Sequence, residues 1–115
     1  MRKVSGLLVA VAFGIIATAG PAAAQGSADK GKALFTAQKC GMCHSVGDAG
    51  NKKGPLDDVG SKLKADEIRQ WLVAPAEQAQ KANATRKPAM PSYQSKLTKD
   101  ELDSLVAYLE TLKKK

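Results

Sequence analysis

Cys40-Gly41-Met42-Cys43-His44 is the stretch on which the reading of this chain turns. Two thiols three residues apart are followed directly by an imidazole. On a single helical turn, positions i, i+3 and i+4 share a face, so Cys40, Cys43 and His44 can converge on one edge of a common partner. The chain holds only these two cysteines and this one histidine, which leaves a short inventory for any other site chemistry.

A C-x-x-C-H run is a signature of c-type haem attachment, with both sulfurs tethering the porphyrin and the histidine coordinating iron. Three rivals share part of the pattern. A thioredoxin-like redox pair uses C-x-x-C to lower a thiol pKa, but it belongs to a fold with βαβ units and none are visible here. A structural zinc site generally takes four Cys or His ligands, and this chain offers three crowded into five residues. A plain disulfide or two buried thiols is the simplest alternative, and an exported protein permits it.

Export is suggested by the first residues. Arg2 and Lys3 precede an apolar run from Val4 to Ala19, and Ala22-Ala23-Ala24 offers small residues for cleavage. The run is short of the ~20 apolar residues of a spanning helix. Residues 1–24 are therefore expected to be a cleaved signal peptide rather than an anchor, leaving one domain over residues 25–115 in a bacterial periplasm. Cleavage would remove Arg2 and Lys3 from 18 basic side chains, leaving 16 against 11 acidic ones. The basic balance is too modest to point to nucleic acid.

In that mature segment Phe35, Trp71, Tyr93 and Tyr108 are the only aromatic side chains. So small a domain, so poor in large apolar groups, buries little surface by itself and commonly needs a metal, a cofactor or disulfides. The pattern nevertheless predicts helices. Ser27 is placed to cap one running from about Ala28 to Lys39. Asp66 to Val73 carries Ile68, Trp71 and Leu72 at helical spacing and is expected to end at Pro75. Thr98 and Glu101 form a capping-box pair ahead of an apolar stripe, Leu102, Leu105, Val106, Leu109 and Leu112. The stretches Ser45–Gly60 and Ala76–Lys96 are rich in turn residues and are expected to be loops walling a crevice. The predicted class is all-α, with three to four short helices and long loops wrapped around one covalent haem.

On these residues the chain resembles the monohaem class I c-type cytochromes, in which C-x-x-C-H lies near the amino terminus and a methionine lies far downstream. The resemblance covers nearly all of residues 25–115. It implies a cytochrome c-like fold whose terminal helices pack on each other, Gly31 and Phe35 on the first meeting Leu105 and Tyr108 on the last. It implies haem c bound through Cys40 and Cys43. It also implies that the carbonyl of Pro55, in Gly54-Pro55-Leu56, accepts a hydrogen bond from the second nitrogen of His44, and that Trp71 lies against the haem. An ordinary core tryptophan is the plainer reading of Trp71.

The second axial ligand is expected to be Met90. Met1 leaves with the signal, Met42 lies inside the attachment loop, and Arg86-Lys87-Pro88-Ala89-Met90-Pro91-Ser92-Tyr93 resembles the family's methionine-ligand loop. A methionine that merely fills the core is the competing reading. His44/Met90 ligation would leave no open coordination position, so the expected function is one-electron transfer rather than enzyme catalysis. Lys39, Lys52, Lys53, Arg86, Lys87 and Lys96 border the crevice segments and would steer acidic redox partners toward it, unless they are simply a solvated surface. A monomeric shuttle between periplasmic or membrane redox proteins is the expected role, with a dedicated subunit of an enzyme complex as the alternative.

Overall fold

The computed structural model describes residues 27–114, together with Gly14. The expected signal segment lies outside the described residues. Among those described, no helix is long and apolar enough to cross a membrane.

Five helical segments carry the fold: α1 (Ala28–Ala37), α2 (Val59–Lys62), α3 (Ala65–Val73), α4 (Pro75–Ala82) and α5 (Lys99–Glu110). A 3-10 turn spans Cys40–Met42, and a small antiparallel ribbon pairs β1 (Ser45–Val46) with β2 (Ala49–Gly50). The architecture is the expected helical one, with more elements than predicted. Pro75 does not close the segment into a loop. It ends α3 and opens α4, because the first helical position needs no amide proton and its fixed φ suits helix entry.

The caps explain where α1 and α5 begin. The Ser27 hydroxyl accepts from the Lys30 amide at 3.4 Å. Thr98 and Glu101 close a reciprocal box, the Glu101 amide donating to Thr98 at 3.1 Å and the Thr98 amide to Glu101 at 2.9 Å. α1 stops two residues earlier than the pattern suggests, and Lys39 then turns the chain in a left-handed conformation at φ 58°. That reversal separates α1 from the Cys40–His44 turn.

The two terminal helices cross at Gly31. A β-carbon there would run into the Ser104 carbonyl and approach Tyr108 Cβ to 2.7 Å, so the close approach requires glycine. Phe35 meets Tyr108 edge-on, ring centroids 5.7 Å apart at 64°. The Ser27 amide donates to the Ser104 hydroxyl at 3.2 Å, and Lys30 pairs with Asp100 at 3.0 Å. Of the residues implied for the helix contact, Gly31 and Phe35 therefore both meet Tyr108, and Ser104 joins them.

The core gathers on the same side of the chain. Leu102, Leu105, Val106 and Leu109 of α5 are buried against Ile68 and Leu72 of α3, with Tyr93 and Leu97 completing the cluster. Leu105 is fully enclosed. Each such side chain contributes ~1.5–3 kcal/mol through apolar burial. Arg69 on α3 is paired with Asp103 on α5, which fixes their relative position.

Candidate functional site

A cavity of about 750 Å³ opens beside this core, within the size range of cofactor sites. Cys40, Cys43, His44, Pro55, Trp71 and Met90 all line it. Every site residue expected from the sequence thus reaches one space, though they come from four separate stretches of chain.

The Cys40–His44 turn is built tightly. The Cys40 carbonyl accepts from both the Cys43 amide (3.2 Å) and the His44 amide (2.9 Å), an arrangement between a 3-10 and an α turn. The cysteines are not joined to each other. Burial pushes the Cys40 thiol up to about 11. A thioredoxin-like nucleophile needs the opposite shift.

His44 donates through Nδ1 to a backbone carbonyl at 3.0 Å, and that carbonyl belongs to Gly54. The expectation that Pro55 supplies the acceptor is corrected by one residue. The reason lies in the local pairing: the Ser45 amide also takes the Gly54 carbonyl (3.1 Å), while the Leu56 amide returns to the Ser45 carbonyl (2.9 Å). This ladder brings Gly54, not Pro55, alongside the imidazole, and Pro55 turns to the cavity wall. With a carbonyl as partner, Nδ1 must carry the proton, which leaves Nε2 as the nitrogen with a free lone pair. Burial lowers the pKa of His44, the Gly54 bond opposes that, and the positive charge of Arg86 lowers it further. A neutral imidazole oriented by a backbone carbonyl is the form a metal ligand requires.

Met90 enters from the segment after α4. Its loop is fastened to the end of α3, where the Ser92 hydroxyl donates to the Val73 carbonyl (2.7 Å) and the Tyr93 amide to the Leu72 carbonyl (2.8 Å). Met90 is half-buried and packs against the core cluster. Trp71 is half-buried on the same wall. Tyr93 is more enclosed than either, and burial, together with the nearby Cys40 and Cys43, pushes its phenol upward.

Three features escaped the sequence reading. Ala76, Ala79 and Ala82 give α4 a smooth alanine face toward the cavity, and their spacing after Pro75 was the available signal. The Gly54 carbonyl had no signal beyond a Gly-Pro pair. Arg86 was expected only as a rim charge, but its guanidinium fills the place of a β-carbon at Gly54.

These residues fit a covalently held haem. Two thiols, a neutral imidazole and a thioether face one apolar space with the cations Lys39, Lys62, Arg86 and Lys87 in its lining. No cluster of three or more His, Cys, Asp or Glu side chains suited to a metal ion occurs among the described residues. No curated protein and no solved structure matches the chain. The cytochrome c family model, however, matches residues 28–113, from the first residue of α1 to just beyond α5. With its cysteines spaced for one covalently attached haem c and its helices folded around a cavity that both cysteines line, the chain belongs to the cytochrome c family of haem-bearing electron carriers.

Proposed function

We propose that the protein is an exported class I cytochrome with His44 and Met90 as axial ligands, carrying single electrons between redox proteins of the periplasm. The observation that carries this reading is the Nδ1 bond of His44 to Gly54, which reserves Nε2 for a metal in a cavity that Met90 also lines. Residues 1–24 act as the cleaved signal peptide, and the mature protein works as a monomer.

Each residue has a defined task. Cys40 and Cys43 hold the ring by thioether bonds, so the carrier keeps its cofactor through many cycles. His44 and Met90 would hold the iron, and Pro55 and Trp71 would contribute to the walls that exclude water. Bound there, haem c supplies an iron that gains or loses one electron. A thioether opposite an imidazole raises the potential, since the softer donor favours the ferrous state. With no position open to substrate, the protein would exchange electrons without bond making, which distinguishes it from a haem enzyme. Lys39, Lys52, Lys53, Arg86, Lys87 and Lys96 would steer acidic partners toward the crevice.

The test combines three measurements. The denatured protein should weigh its mature polypeptide plus one haem, and a pyridine haemochrome assay should give one haem per chain. The ferric protein should show the weak near-infrared band of sulfur ligation, lost in Met90→Ala. An unchanged band in that variant removes Met90 from the site, and tight carbon monoxide binding by the reduced wild type would favour an exchangeable-ligand protein instead. Electron-transfer rates with a partner should fall as salt rises, and flat rates defeat the steering.

A further inference from the structure

Residues 75–91 form a flap with unusual attachments. Its hydrogen bonds run within the segment or back to Ala74, as when the Gln78 amide donates to the Ala74 carbonyl at 3.1 Å. The two ends are pinned at the same place: Val73 and Leu72 receive Ser92 and Tyr93 just where Pro75 departs from α3. Residues 81–89 are all exposed. Few contacts and solvent-facing backbone are the marks of a segment that opens locally without global unfolding.

One side chain of this flap reaches the far wall. The Arg86 guanidinium lies where a β-carbon of Gly54 would stand, its Cζ at 3.0 Å from that position, and the Cys43 carbonyl borders the same space. Gly54 is the residue whose carbonyl orients His44. Among the described residues Arg86 has no carboxylate partner that would explain its position otherwise. A planar guanidinium can lie flat on a bare glycine peptide, whereas the rounder, more strongly hydrated ammonium of lysine cannot do so equally well.

We propose that Arg86 is a positioning residue, latching the flap of residues 75–91 onto the Cys43–Gly54 wall and so holding Met90 in place at the cavity. The second part rests on Met90 being the axial ligand. Gly54 then has two tasks: its carbonyl orients His44, and its missing side chain makes the seat for the latch. The two axial ligands are thereby tied through one residue.

The experiment uses the haem-loaded full chain. Amide hydrogen exchange is measured for residues 76–91 in the wild type, Arg86→Ala, Arg86→Lys and Lys81→Ala, with α1 and α5 as internal references. In parallel, the rate at which added imidazole displaces the sulfur ligand is followed by loss of the near-infrared band, a step that requires the flap to open. Arg86→Ala should speed both flap exchange and imidazole entry severalfold, as the packing of the guanidinium on Gly54 is lost. Arg86→Lys should fall between it and the wild type, and Lys81→Ala, which removes a charge from the flap without reaching the far wall, should match the wild type. Unchanged flap exchange in Arg86→Ala overturns the latch, as does acceleration shared equally by α1 and α5. A wild type that lacks the sulfur band overturns Met90 ligation instead, while flap exchange still decides the role of Arg86.

Discussion

At the crossing of α1 and α5, polypeptide closes against polypeptide. Gly31 admits the neighbouring backbone, Phe35 meets Tyr108, and the α5 stripe fills the core behind them. Around the cavity the same chain behaves differently. α4 offers only Pro75 and alanines to the inside, residues 81–89 lie exposed, and Cys40, Cys43, His44 and Met90 border a space that no side chain fills. The first region closes on itself at Gly31, although Phe35, Leu105 and Leu109 also border the cavity. The second is shaped for a large apolar body that covalent attachment would keep in place, which is how a domain this small obtains a sufficient core.

The comparison can be broken most forcefully by removing both tethers. Cys40→Ala with Cys43→Ala should abolish covalent haem altogether, so that acid–acetone extraction removes all colour. In that variant hydrogen exchange should lose protection through residues 59–91, and whatever protection survives should lie in α1 and α5. Equal loss everywhere would show that the crossing is no more self-sufficient than the cavity.

The protein-only half can be attacked next. Leu105→Ala should lower stability by about 3 kcal/mol in denaturant titration, because a fully enclosed leucine leaves a void. Gly31→Ala should cost about 2 kcal/mol, since the added methyl meets backbone of α5 rather than a movable side chain. Gly31→Ala should leave the near-infrared band unaltered at temperatures where the protein remains folded, as Gly31 does not line the cavity, whereas Leu105 does. Thr98→Ala should cost about 1 kcal/mol by unmaking the cap of α5. Smallest of all, Lys30→Ala should change stability by less than about 1 kcal/mol, because its pairing with Asp100 is at the surface.

The difference between the regions also explains what could be read in advance. The caps at Ser27 and Thr98 and the stripe of α5 obey local rules, and the structure follows them, whereas the Gly31/Phe35 contact was legible only through the family resemblance. The cavity side obeys them less well. Pro75 marks both an end and a beginning, and only the packing of α4 beside α3 tells which. Arg86 looked like one more surface cation, because nothing in its neighbourhood along the chain indicates that Gly54, 32 residues earlier, lies beneath it.

By itself the sequence determined the chemistry available: two thiols and one imidazole on a single turn, one methionine downstream, and helices whose caps and apolar spacing are local properties of the backbone. Only the tertiary structure decided which carbonyl orients His44, where the flap is pinned and what Arg86 rests on. Those choices depend on contacts between residues far apart in the chain, made when loops of no intrinsic period settle against an already packed pair of helices.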